Sequence, residues 1–149
     1  MPVANRHETV TAFGGGTFEA YCAVPEGDGP WPGLVLFQEI FGVNDNMRGL
    51  AEKEAAAGYL ALVPDMFWRI EPRFERKDES GLADGMTKVG QFDWERGGAD
   101  IASTLGHLRG MPESTGRAAS SPLAAGSRKA EIPTSFQPSA TKPAAVSNR

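Results

Sequence analysis

Two short apolar runs with a helix signal between them constrain the fold of this chain most strongly. The runs, residues 33–38 and residues 59–63, are continuous rather than alternating, which is typical of strands buried on both faces. Between them, Asn44 or Asp45 can cap a helix that continues to about Ala57. A strand, a helix and a second strand within about thirty residues predict a right-handed βαβ unit with parallel strands. The expected fold class is therefore α/β.

An antiparallel hairpin is predicted to precede this unit. Residues 9–13 and 17–24 alternate apolar and polar side chains on either side of three consecutive glycines at 14–16. Alternation of this kind is typical of strands with one buried face, and glycine tolerates the backbone angles of a tight turn. The hairpin is expected to form an edge of the sheet.

A second strongly patterned helix is predicted to begin at Asp93 and to end at His107 or Leu108. A sheet of this kind would next need a strand, and the sequence predicts none. Residues 117–149 are rich in alanine, serine and proline, with few large apolar side chains, so we expect a disordered tail. The predicted organisation is one domain over residues 1–116, followed by that tail.

Charge and cysteine content exclude several classes of function. The net charge is −4, and the acidic balance before the tail argues against a nucleic-acid surface. The basic tail is interleaved with a single aromatic residue, Phe136, and is a poor phosphate-binding groove. One cysteine excludes an internal disulfide, so the cytosol is the expected compartment. The longest apolar run, residues 34–37, is too short to cross a bilayer, so we expect no membrane insertion.

The residues that follow the two buried strands form the expected ligand site, because open parallel sheets bind ligands beyond the carboxyl ends of their strands. These segments are residues 38–44 (Gln-Glu-Ile-Phe-Gly-Val-Asn) and residues 64–67 (Pro-Asp-Met-Phe). Together with Phe-Asp at 92–93 and Pro-Glu-Ser-Thr-Gly at 112–116, they resemble the dienelactone hydrolase family over residues 8 to about 117. The resemblance implies an incomplete α/β-hydrolase sheet with flanking helices.

The resemblance also implies a chemistry. Members of the family open a lactone or small carboxylic ester, as carboxymethylenebutenolidases do, with a cysteine nucleophile on a tight elbow, a histidine and an aspartate. Glu39 matches the family's glutamate, which contacts the nucleophile in the resting enzyme. The backbone N–H of Ile40 matches one half of the oxyanion hole. The implied partner is a small ester or lactone, and neither a cofactor nor a metal is implied.

The elements that would complete this chemistry are missing from the sequence. The elbow motif Gly-x-Cys-x-Gly-Gly is expected within about a dozen residues of Gly116, where the chain instead reads Arg-Ala-Ala-Ser-Ser-Pro. No Gly-x-Ser-x-Gly occurs anywhere in the 149 residues. We therefore expect a truncated form with weak or absent ester turnover. The change of composition at about Gly116 suggests the hypothesis of a shifted reading frame.

A non-catalytic module is the alternative interpretation. An incomplete sheet would leave an unpaired strand edge, which suits strand addition or self-association. Hydrolysis of an activated ester would favour the enzyme, whereas saturable binding without turnover would favour the module.

Three other reactive side chains have simpler structural interpretations. Cys22 lies within a strand pattern without elbow glycines, so we expect a buried core thiol. His107 is expected to play a structural role near its helix terminus, and His7 to be exposed. The two histidines lack the spacing of metal ligands.

Aromatic and arginine residues beside the expected site leave two interpretations open. Phe41, Trp68 and Arg69 are the candidates for contacting a substrate, although aromatic residues next to a sheet are commonly ordinary core. Arg69, Arg73 and Arg76 would suit an acidic substrate, as arginines do in lactone-hydrolysing relatives. Acidic residues alternate with them, and a salt-bridged loop explains the pattern at least as well.

Overall fold

The structure is a computed structural model, and it describes residues 4–120. Its strands are β1 Ala4–Thr11, β2 Thr17–Val24, β3 Trp31–Val35, β4 Leu60–Pro64 and β5 Ser114–Ser120. Its helices are α1 Asp45–Ala56, α2 Leu82–Gln91 and α3 Trp94–Arg109, with a single 3-10 turn, Glu79–Gly81, immediately before α2. The five strands form one mixed sheet in the order β1-β2-β4-β3-β5.

The strand directions confirm the predicted hairpin and βαβ unit. Strand β1 is antiparallel to β2, and β2 is antiparallel to β4. Strand β3 is parallel to β4, from which it is separated along the chain by α1. The described part of the chain is therefore an α/β domain of the predicted class.

Polar caps fix where α1 and α3 begin, as the sequence predicts. Asn44 accepts a hydrogen bond from the backbone N–H of Met47 at 3.1 Å, and Asp93 accepts one from each of the Glu95 and Arg96 amides in the first turn of α3. Because these amides have no partner inside a helix, a side-chain acceptor stabilises the helix start. The sequence pattern does not predict α2, whose residues include Gly85 and Gly90.

The helices cover the two faces of the sheet. Helix α1 buries a narrow stripe of Met47, Ala51 and Ala55 against one face. Helix α3 lies against the other, where a Cβ on Gly33 of β3 would be 2.6 Å from Leu108 Cγ. Only glycine allows this close approach of the strand to the helix. None of the helices within residues 4–120 has the length and apolar character needed to cross a bilayer.

The prediction that no strand follows the second helix is wrong. Strand β5 pairs with β3 in parallel, with Gly33 opposite Ala118 and Leu34 opposite Ala119. Both alanines are buried, although small side chains give little hydrophobic signal in the sequence. The predicted domain boundary between residues 116 and 117 thus falls inside β5. The rest of the predicted tail, residues 121–149, lies outside the described residues.

A charged network joins β1 to α3 and to the segment before β5. His107 Nε2 and Glu8 Oε1 are 2.7 Å apart, and Arg6 Nε donates to Glu8 Oε2 at 2.6 Å. The Arg6 guanidinium also donates two hydrogen bonds to the Glu113 carboxylate, at 2.9 and 3.1 Å. His107 thus has a structural role, because it links its helix to the edge strand.

This network predicts a loss of stability in acid. Burial opposes ionisation of Glu8, but hydrogen bonds from His107 and Arg6 outweigh that effect and hold the pKa of Glu8 below its usual value. A depressed carboxyl pKa contributes stability above the unfolded value of about 4.3, and this contribution is lost as the pH falls through the folded pKa. We expect Glu8→Gln to flatten the dependence of unfolding free energy on pH below about 4.5, measured by urea denaturation.

The matched control for this change is Glu26→Gln, in the loop after β2. Glu26 is exposed and makes no ion pair within residues 4–120, so its replacement should leave the acid dependence as it is in the original protein. Equal pH profiles for the original protein and Glu8→Gln would contradict the prediction.

Candidate active site

A cavity of about 610 Å³ lies beyond the carboxyl ends of β3 and β4. Its walls come from residues 37–41 after β3, from Met66 and Phe67 after β4, and from residues of α2 and α3 and of the junction between these helices. This is the edge of the sheet at which a ligand site is expected in a parallel α/β arrangement.

The structure brings three of the predicted site residues together in this cavity. Glu39, Ile40 and Phe41 all line it. The Glu39 side chain is exposed, and no side chain or backbone group within residues 4–120 forms a hydrogen bond or ion pair with its carboxylate. The Ile40 N–H likewise has no acceptor in that part of the chain. A carboxylate and a backbone donor are therefore both available at the cavity wall.

A tight turn fixes the position of these groups. The Gly42 N–H donates to the Glu39 carbonyl at 3.1 Å, and the Arg76 N–H donates to the Phe41 carbonyl at 2.8 Å. Gly42 also pairs with Glu75 as an isolated antiparallel bridge. The segment after β4 thus holds the turn from one side, so that the N–H of Ile40 does not depend on a flexible loop for its position.

Helix α2 supports the turn from the other side. A Cβ on Gly85 would be 2.5 Å from the Ile40 carbonyl oxygen, so the helix backbone and the turn are in direct contact. Sequence reasoning missed this positioning residue. The available signal was a glycine in the middle of a segment able to form a helix. A glycine inside a helix costs about 1 kcal/mol of stability relative to alanine, so its presence commonly has a packing reason.

Asp65 organises the turn after β4. Its carboxylate accepts hydrogen bonds from the Phe67 N–H at 3.2 Å and the Arg73 N–H at 2.7 Å. Burial raises the pKa of Asp65, and these two hydrogen bonds only partly offset the effect. Asp65 does not line the cavity beyond β3 and β4. Its contribution is to position Met66 and Phe67, which do line it.

Trp68 and Arg69, the other two predicted substrate-binding residues, lie outside this cavity and are held by Asp100. The Trp68 ring stacks on Phe18, and its Nε1 donates to Asp100 Oδ2 at 2.9 Å. Arg69 donates to both carboxylate oxygens of Asp100, at 2.9 and 3.1 Å, and lies over the Trp68 ring. Arg69 lines a smaller neighbouring cavity of about 180 Å³.

The arginines of the loop after β4 are all paired with partners elsewhere in the fold. Arg73 forms an ion pair with Glu19 of β2 at 3.2 Å, and Arg76 forms one with Asp84 of α2 at 3.0 Å. The ion pairs favour the salt-bridged interpretation of this loop. The expected partners were the acidic residues that alternate with these arginines in the loop. The observed partners instead lie outside the loop, and the ion pairs connect it to the sheet and the helices.

Cys22 is buried in β2 and does not line the cavity. Burial raises the pKa of its thiol to about 12. Because the thiolate is the reactive form, this cysteine is poorly suited to nucleophilic attack.

We expect no reaction of the native protein with a chromogenic disulfide reagent at about pH 8, and one reacted thiol per chain in guanidinium. Fast stoichiometric labelling of the native protein would contradict this assignment.

The histidines also lie away from the cavity. His7 is exposed and contacts the Tyr21 ring edge-on at a centroid distance of 5.7 Å, while His107 is engaged with Glu8. Within residues 4–120, no three or more His, Cys, Asp or Glu side chains are grouped so as to hold a metal ion. The arrangement at the cavity can thus accept a hydrogen bond at Glu39 and donate one at Ile40. A carbonyl oxygen is a chemically suitable acceptor for that N–H.

Comparison with known sequences agrees with this geometry. The sequence model of the dienelactone hydrolase family matches residues 18–120. Carboxymethylenebutenolidase 1 of Cupriavidus pinatubonensis is 33% identical over 112 residues, which cover 74% of this chain and 47% of that protein. A carboxymethylenebutenolidase of Pseudomonas sp. strain P51 is 33% identical over 106 residues, covering 70% of this chain and 44% of that protein. The chain spans less than half the length of these relatives.

Solved structures give the same result for the fold. A dienelactone hydrolase-like promiscuous phosphotriesterase from metagenomic libraries has a TM-score of 0.63 at 25% identity, covering 80% of this chain and 48% of that one. A Klebsiella pneumoniae protein assigned as a dienelactone hydrolase has a TM-score of 0.60 at 28% identity, covering 72% of this chain and 44% of that one. The glutamate and the turn after β3 thus occur in a chain whose sequence and backbone both match one hydrolase family, and this chain belongs to the dienelactone hydrolase family.

Proposed function

We propose that the cavity beyond β3 and β4 is the substrate-binding part of an ester- or lactone-hydrolysing site. The observation that carries this proposal is that Glu39 and Ile40 line one cavity, and that the Glu39 carboxylate and the Ile40 N–H have no partner within residues 4–120. A fixed backbone donor at such a place would stabilise the negative charge that develops on an attacked carbonyl oxygen. The likeness to carboxymethylenebutenolidases supports the same class of substrate.

We further propose that these 149 residues, on their own, do not turn over esters. The sequence contains neither a cysteine nor a serine elbow motif, and its one cysteine is buried in the sheet. Without a nucleophile, binding and one oxyanion donor are the remaining contributions, and these supply little of the acceleration of an acyl-enzyme mechanism. The cytosol is the compartment that we propose, because the single cysteine offers no internal disulfide.

Hydrolysis of p-nitrophenyl acetate tests this proposal. We expect the release of p-nitrophenolate by the purified chain to equal that of an equal concentration of Cys22→Ala, and both to equal the background of unfolded protein. Turnover that Cys22→Ala abolishes would overturn the proposed inactivity and the assignment of Cys22 to the core. Turnover that Cys22→Ala retains and Glu39→Gln abolishes would place a different nucleophile beside this cavity.

A second candidate function is self-association, which the position of β5 favours. Within residues 4–120, β5 pairs with β3 on one side and with no strand on the other. An exposed strand edge can pair with a second chain. We expect sedimentation velocity to show a dimer that dissociates on dilution. A single monomeric species across a hundredfold range of concentration would contradict this proposal.

A further inference from the structure

We propose that the cavity beyond β3 and β4 selects an uncharged, apolar acyl or alcohol group and rejects ligands that carry a carboxylate. This inference rests on the proposed function, because it names the substrate class of the same cavity. It departs from the interpretation that the arginines of this chain serve an acidic substrate.

The first argument is the chemistry of the cavity wall. Nine of the eleven described residues that line it are apolar, and they include four phenylalanines and one tryptophan. An apolar ligand that leaves water for such a wall gains free energy in proportion to the area it buries. A volume of about 610 Å³ leaves room for an aromatic ring system with a carbonyl substituent.

The second argument is that one of the two polar lining residues is already engaged. The Gln38 side-chain oxygen accepts a hydrogen bond from the Met66 N–H at 2.8 Å. Its side-chain nitrogen donates to the Glu39 carbonyl at 3.3 Å. The first of these bonds joins the two turns that form the cavity, and the second lies within the turn after β3. Among the described lining residues, Glu39 is therefore the polar side chain left without a partner to meet a ligand.

The third argument concerns charge. Among the described residues that line the cavity, Glu39 is the one with a charged side chain. The three arginines of the segment after β4, Arg69, Arg73 and Arg76, are held by Asp100, Glu19 and Asp84 respectively. Lys88 and Arg96, which lie near lining residues on α2 and α3, pair with Glu71 and Asp93. A carboxylate in the cavity would meet the Glu39 charge beside an apolar wall that has no cation among its described lining residues, which is unfavourable. A neutral ester or ketone has no such penalty.

Two ligands of nearly equal shape test this inference on the intact protein. Methyl 2-naphthyl ketone and 2-naphthoate share a ring and a carbonyl, and they differ in whether a methyl group or an anionic oxygen completes the substituent. The ketone cannot be hydrolysed, so binding is measured apart from turnover. In a fluorescence titration at neutral pH, we expect the ketone to bind about tenfold more tightly or better than the naphthoate.

Glu39→Gln separates the charge effect from the greater hydrophobicity of the ketone. Because glutamine keeps the size and removes the charge, we expect it to tighten the binding of naphthoate severalfold. The ratio of the two dissociation constants should therefore fall. A ratio that does not change in Glu39→Gln would overturn the assignment of selectivity to this carboxylate.

A matched pair of substitutions on α2 locates the binding. Val89 lines the cavity, whereas Met86 on the same helix is exposed and does not. We expect Val89→Trp to fill the cavity and to raise the dissociation constant of the ketone at least tenfold. Met86→Trp should leave that dissociation constant unchanged. Equal effects of the two changes would show that the ketone binds elsewhere and would overturn the inference.

The outcomes remain distinguishable from those of the proposed function. Equal or tighter binding of naphthoate to the original protein would overturn the inferred substrate class, even if the Val89→Trp protein does not fold. That result would leave the ester-hydrolysis assay and its interpretation unaffected. Conversely, turnover of p-nitrophenyl acetate would overturn the proposed inactivity without changing the preference for neutral ligands.

Discussion

Replacing Gly42 with alanine is expected to destabilise the folded protein by about 3 kcal/mol or more. Two effects add at this position. The backbone has φ of +83°, a region that side chains other than glycine adopt at a cost. A Cβ would also lie 2.0 Å from the Phe74 carbonyl oxygen, which is too close for any ordinary contact. The turn that carries Glu39 and Ile40 must therefore separate from the segment after β4.

Thermal and urea denaturation measure this effect, with Gly49→Ala as the control. Gly49 lies in α1, and a Cβ there meets no atom within 4 Å. Alanine at this helical position should be neutral or stabilise the protein by up to about 1 kcal/mol. Comparable stabilities of Gly42→Ala and the original protein would show that the turn after β3 is not held as the structure indicates.

Replacing Asp100 with leucine is expected to have a similarly large effect, a loss of about 3–5 kcal/mol. Asp100 is 1% exposed and accepts three hydrogen bonds from the Trp68 indole and the Arg69 guanidinium. Removing the carboxylate leaves a partly buried positive charge and a partly buried N–H without their partner. Such unpaired groups cost more than the intact pair contributes.

A double substitution separates the ion pair from the rest of this cluster. Asp100→Leu combined with Arg69→Met removes both charges, and we expect it to regain at least about 1 kcal/mol relative to Asp100→Leu alone. The control is Asp84→Leu, whose exposed carboxylate pairs with Arg76 and should contribute about 1 kcal/mol or less. Equal effects of Asp84→Leu and Asp100→Leu would contradict the role assigned to burial.

The sequence predicted the elements whose signals are local. The helix over 45–56 has an asparagine cap at its start, and the strands around it are continuous apolar runs, so one βαβ unit is implied by neighbouring residues. The predicted βαβ unit and hairpin are confirmed. Periodicity and caps suffice for such elements because the interactions responsible lie within a few positions of each other.

Strand β5 could not be predicted in the same way. Its residues, Ser-Thr-Gly-Arg-Ala-Ala-Ser, have low strand propensity and little apolar area. The strand is specified by its surroundings, because Ala118 pairs with Gly33 of β3 and belongs to the core cluster that contains Leu108 of α3. The packing that selects a strand here involves residues about eighty positions away, and a single sequence carries no direct sign of it.

The candidate site shows the same division. Glu39, Ile40 and Phe41 are contiguous, so one motif at the end of one strand located all three in the cavity. Trp68 and Arg69 depend on Asp100, which lies 31 or 32 positions further along the chain. No pattern near the arginine indicated that partner. Alternating charges in a loop show that ion pairs are possible, but not which residues form them.

The position of β3 in the sheet has a consequence for the order of folding. This strand lies between β4 and β5, and Val35 is paired with both Leu62 and Ser120. During synthesis, the β1–β2 hairpin can form early, whereas β3 lacks its second neighbour until residues 114–120 leave the ribosome. Contacts between distant residues form slowly because a long loop must close first. Within residues 4–120, the sheet should therefore be completed only after the three helices have been synthesised.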